Sequence, residues 1–137
     1  MSASNLISSG VILLTVIAIA YGGTFLVKVT TGGVPANDLQ RSFFRAGHAH
    51  AGVLVILGLV VRLLLVDDAV PDWSSALADG VLFAAILMPA GFFLSVIGRD
   101  PQKPNRWRTL IWAGAASLGI GLASAGVGLI TAGIASA

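Results

Sequence analysis

The stretch RSFFRAGHAHAGVLVILGLVVRLLLVDD, residues 41–68, sets Arg41, Arg45, His48 and His50 at the mouth of an apolar run and Arg62 inside it. Ionisable groups at membrane depth are costly and usually functional. Imidazole offers three chemistries here: a metal or haem ligand, a quinone-binding or proton-relay group, and an interfacial hydrogen-bonding anchor. His48 and His50 stand two residues apart, so on a helix they point in nearly opposite directions and do not share one metal. These are the chain's two histidines, and it has no cysteine. Haem held by two histidines from different helices of one chain is thereby excluded. What stays open is one histidine from each of two chains, or a soft second ligand in Met88 on another helix. His48 shares a helical face with Arg41, Arg45 and Gly52, and His50 with Ala46, Gly47 and Leu54. One ring is therefore expected to face the bundle and the other a partner, lipid or water.

The elements that position these residues are membrane spans. Of 137 residues, 56% are hydrophobic and 10% charged, and the mean hydropathy is +0.93. The apolar residues gather in blocks longer than the ~18 that mark a span. Four blocks are read at about 6–29, 46–66, 75–98 and 110–136. Each crosses a hydrocarbon core of about 30 Å at about 1.5 Å per residue. The expected fold is all-α: one domain, a polytopic transmembrane four-helix bundle over 1–137. Ala18-Ile19-Ala20 mimics a signal-peptide cleavage site, but MSASN carries no basic residue, so the first block reads as a helix that stays.

Loop charges orient the bundle. Lys28, Arg41, Arg45, Arg99, Lys103, Arg106 and Arg108 flank the first and third connections, whereas Arg62 alone lies near the second. The positive-inside rule then places loops one and three in the cytoplasm of a bacterial cell, with loop two and both termini outside. Trp73 at one end, and Phe43, Phe44, Trp107 and Trp112 at the other, suit interfacial belts. Asn37 or Asp38 can cap a second helix that starts before the bilayer, placing Arg41 and Arg45 among lipid phosphates. The net charge of +2 is too small and scattered for nucleic acid.

The last block repeats with a period of seven: SLGIGLA, SAGVGLI, TAGIASA. Gly114, Gly121, Gly128 and Ala135 form one row, and Ser117, Ser124 and Thr131 follow it by three residues. Gly119, Gly126 and Gly133 make another row. Small residues at this spacing let helices approach closely in lipid. The fourth helix is thus a packing surface, toward the same chain or toward a homo-oligomer or larger complex. Pro89 in MPAGFF is expected to kink the third helix. Arg62 and Asp79 fall at matching depths of an antiparallel hairpin and are expected to form an ion pair. The alternative is that Arg62 snorkels toward water or toward Asp67 and Asp68.

FFRAGHAHAGVLVILGL, through Arg45, Gly47, His48, His50, Ala51 and Gly52, resembles a segment of small four-span membrane proteins of actinobacteria. The resemblance implies four helices. The H-x-H pair is also similar to motifs in relatives of haem-copper oxidases, which carry more histidines and more helices than this chain. No phosphate loop, nucleophile elbow or carboxylate pair marks an enzyme. The leading expectation is a structural or accessory membrane subunit. Behind it stand a haem or quinone protein using His48 or His50, and a small oligomeric transporter or channel with Pro89 near its path.

Overall fold

The computed structural model describes residues 3–66 and 69–137. Among these described residues, five α-helices and one 3₁₀ turn make four stretches long and apolar enough to cross a membrane. The chain is a four-helix integral membrane protein. Helix is the form such blocks take because hydrocarbon offers backbone groups no other partner.

Helix α1 runs Ala3–Thr30 without a break, so Ala18-Ile19-Ala20 lies inside a helix. The hydroxyls of Thr15, Thr24 and Thr30 donate to the carbonyls of Ile12, Tyr21 and Leu26 of the same helix at 2.6, 2.7 and 2.8 Å. Polar side chains on a lipid-facing helix are satisfied in this way. Gly32, at φ +81°, turns the chain out of the helix, a conformation that favours glycine.

Helix α2 spans Asp38–Leu64, so its helical structure begins eight residues before the apolar block. Asn37 caps it: its side chain accepts from the Gln40 amide, and the Gln40 side chain accepts from the Asn37 amide. The third block divides into α3, Asp72–Ala78, and α4, Gly80–Ser95. The interruption falls at Asp79, whose carbonyl accepts from Leu82 and Phe83. Helix α4 continues through Pro89, ten residues beyond this interruption. The third span ends at Ser95, short of the expected Gly98, because the carbonyls of Val96 and Gly98 turn to the Gln40 side chain. A 3₁₀ turn, Arg106–Arg108, leads into α5, Thr109–Ala135.

Helix α2 packs between α1 and α4, and α4 with α3 packs on α5. The core is small: Leu54, Val55, Ala84, Ala85 and Met88 in one cluster, and Val61, Ala78, Val81 and Ala125 in another. Most large apolar side chains of the spans point outward, as they must when lipid is the solvent.

Candidate functional site

Loops one and three meet at one end of the bundle, and the start of α2 is the joint. The Asn37 Nδ2 group donates to Asp100 Oδ1 and to the Pro101 carbonyl, both at 2.8 Å. Gln40 is buried, and its Nε2 group donates to Val96 O and Gly98 O, both at 3.1 Å. One residue pair thus starts a helix and clamps the connection between the last two spans. Asn105 completes the joint by donating through its backbone to Ser95 O at 2.7 Å and through its side chain to Leu94 O at 3.0 Å.

The two histidines follow two to three turns later, and each faces a neighbouring helix. The His48 ring lies on the Gly22–Gly23 backbone of α1; a Cβ at Gly23 would stand 3.5 Å from its Nε2. His50 points to α4, where its ring lies 4.9 Å from that of Phe92. Its Nδ1 is 2.7 Å from Ala46 O. A carbonyl only accepts, so Nδ1 is the donor of this bond. Both rings are half-buried in seams of the same chain, which corrects the expectation that one of them would turn outward.

Phe43 and Phe44 pack against neighbouring helices at this same end. Phe44 bridges Phe25 of α1 and Phe93 of α4, with ring centroids at 5.2 and 5.6 Å. Phe43 meets Phe92 at 5.6 Å. The aromatic pairs tie α1, α2 and α4 together at this end. Trp73, Trp107 and Trp112 are exposed.

Met88 sits in the core with Leu54, Val55, Ala84 and Ala85 and presses on Gly114 of α5. The candidate ligands therefore occupy three seams: His48 on α1, His50 on Phe92, and Met88 toward α5. They are not brought together around one centre. Three clefts open at the loop end, and none is lined by His48, His50 or Met88. Among the described residues, no group of three or more His, Cys, Asp or Glu could hold a metal.

The other singled-out residues fall at two places. Arg41 and Arg45 line a cleft of about 390 Å³ between the end of α1 and the start of α2. Arg62 reaches across the opposite end of the α2–α4 hairpin, its Nη2 atom 3.5 Å from Asp79 Oδ1; the side chains are 26% and 43% exposed. Asp67 and Asp68, the alternative acceptors, lie outside the described residues.

Along α5, the row Gly114, Gly121 and Gly128 is buried against α3 and α4. A Cβ on Gly121 would lie 2.8 Å from the Val81 amide nitrogen, and one on Gly128 would collide with the Ser74 side chain. Hydroxyls lace this seam: Ser117 Oγ donates to Gly80 O at 2.8 Å, and Ser74 Oγ to Ser124 O at 2.7 Å. Ser124 Oγ turns to Gly121 O of its own helix at 2.9 Å. Thr131 does not belong to the seam: it is exposed, and its hydroxyl bonds Val127 O of its own helix. The second row, Gly119, Gly126 and Gly133, faces outward with nothing within 4 Å of a Cβ at any of the three.

Sequence reasoning missed Gln40 and Ser74, both buried polar residues with interhelical partners. The signal for Gln40 was its place three residues after Asn37, the spacing of a capping box. Ser74, beside Pro71-Asp72, looked like an ordinary turn residue and gave none. Compared with protein-family models, curated proteins and solved structures, the chain matches none significantly. The reading that follows rests on the chain's own geometry.

Proposed function

We propose that this four-helix membrane protein is a structural or accessory subunit that associates laterally through the outward face of α5. The observation that carries the reading is the open row of Gly119, Gly126 and Gly133. It has the seven-residue period of the row already packed inside the chain. Exposed Ala116 and Ala123 flank it, so a second helix finds a shallow groove along the helix length. In lipid, such a surface gains more from a close helix than from acyl chains, which follow it poorly. A second copy is the simplest partner, since the same row meets itself across a twofold axis. In this reading the basic loops lie on the cytoplasmic side, where Lys and Arg are retained.

The haem and transport readings gain no comparable support. The candidate ligands point into three seams, and Pro89 is buried among packed helices. The test is association in nanodiscs or mild detergent, followed by native mass spectrometry and disulfide trapping through Cys introduced at Ile130. The wild type should run as a dimer or in a stoichiometric complex. Gly126→Leu should release the monomer without lowering its thermal midpoint. A wild type that is monomeric and partnerless at native lipid ratios refutes the proposal.

A further inference from the structure

We infer that the cleft between the end of α1 and the start of α2 is a binding site for the phosphate of an anionic phospholipid. One wall is polar: Arg41 and Arg45 stand one helical turn apart on α2, both exposed. The Arg62–Asp79 contact is the sole ion pair among the described residues, so neither guanidinium is engaged in one. The other wall is apolar, Leu26 and Val29 at the last turn of a helix long enough to span the bilayer. A site with cationic donors on one wall and hydrocarbon on the other matches a phospholipid at its phosphate and glycerol level, where a soluble anion would leave the apolar wall unused. Guanidinium forks suit phosphate oxygens and give directed paired hydrogen bonds.

Two groups in the cleft are not donors to a phosphate. The Thr30 hydroxyl is turned back to Leu26 O at 2.8 Å. Asp38, which also lines the cleft, opposes an anion and leaves it a net charge of +1, from two arginines and one aspartate. The site is therefore selective for anionic lipid yet moderate in affinity. This inference is independent of how α5 associates, since it concerns α1 and α2 alone.

The experiment is native mass spectrometry of the full chain in detergent, titrated with phosphatidylglycerol or phosphatidylcholine of matched acyl chains. Phosphatidylglycerol should bind at lower concentration. Each arginine near a membrane surface contributes about fivefold, so Arg41→Gln/Arg45→Gln should weaken it by about 25-fold and Arg45→Gln alone by about fivefold. Asp38→Asn should tighten it by about fivefold. Arg106→Gln, at the same end but outside the cleft, should leave binding unchanged. These positions are exposed, and the thermal midpoint of each variant checks that it stays folded. Equal binding of the two lipids, wild-type binding by the double variant, or an equal loss in Arg106→Gln overturns the site. Displacement of the lipid by millimolar inorganic phosphate would assign the cleft to a soluble anion instead.

Discussion

Helices α1 and α5 are both long and apolar, and they are packed in opposite ways. No residue in the most apolar stretch of α1 is buried, whereas α5 lays Gly114 and Gly121 against the backbone of α4 and Gly128 against the Ser74 side chain of α3. The glycines of α1 meet no backbone: Gly10 faces open space, and Gly22 and Gly23 touch only the His48 ring. Apolar content places a helix in the membrane but does not choose its partner, because lipid tails are as apolar as leucine. Close approach chooses it, through small residues in register and hydroxyls that bond across the gap. The α5 seam has both; the α1 seam has one imidazole, an aromatic contact and the partly buried Ile12, Val16 and Ile19 packed on the core, with no row of small residues against backbone.

The sharpest way to break this comparison is to fill the tight seam. Gly121→Leu would push a side chain against Val81 N and Gly80 C, backbone atoms that cannot rotate away. A loss of about 3 kcal/mol is expected, the upper range for overpacking, measured by thermal or SDS unfolding in detergent. A Cβ at Gly126 meets nothing within the chain, so Gly126→Leu should leave the unfolding of the monomer unchanged. Equal effects at both positions would show that the seam does not hold the fold together.

Next in size is Gln40→Ala at the joint of loops one and three. The substitution strips Val96 O and Gly98 O of their donor and removes the side-chain half of the capping box. About 2 kcal/mol is expected for buried acceptors left unpaired. An unchanged thermal midpoint would mean that the Asn37 and Asn105 bonds and the aromatic contacts hold this end without Gln40.

These two sites differ in how legible they were. The four spans follow from block length, the early start of α2 from Asn37, and the small-residue surface from its seven-residue period. Both glycine rows share that period, however, so the sequence could not say which one faces inward. The choice is made by Ser74 and Gly80 on the facing helices, through bonds to Ser124 O and from Ser117. The break at Asp79 was equally hidden. Proline is the conspicuous helix breaker, yet the chain interrupts its helix at an aspartate before a glycine and runs on through Pro89. The histidine directions were illegible because spacing gives angles within a helix and not the positions of its neighbours.

A smaller effect is expected at the far end of the α2–α4 hairpin. Antiparallel register sets Arg62 and Asp79 at one depth, and their atoms lie 3.5 Å apart with both side chains partly exposed. Solvent screening limits the contact to the range of surface pairs, so Asp79→Asn should cost about 1 kcal/mol. Arg62→Asp with Asp79→Arg should recover part of the loss from either single reversal. No recovery in a double-mutant cycle would mean that Arg62 reaches water on its own.

The smallest effect, and the one with opposite sign, belongs to the α1 seam. Alanine is the better helix former by about 1 kcal/mol at a position with room for its methyl group. Gly23 has that room: an added Cβ lies 3.5 Å from His48 Nε2 and 3.6 Å from its Cε1, ordinary contact distances. Gly121 does not, since the same atom would press on the Val81 amide nitrogen at 2.8 Å. The identical substitution should therefore divide the two helices. Gly23→Ala should raise the unfolding midpoint slightly or leave it in place, and Gly121→Ala should lower it. Adding His48→Ala to Gly23→Ala should change little more, because the ring packs on the glycines without a hydrogen bond to them. A fall in Gly23→Ala as large as that in Gly121→Ala would show that α1 is seated as tightly as α5, and that burial alone misjudges how a membrane helix is held.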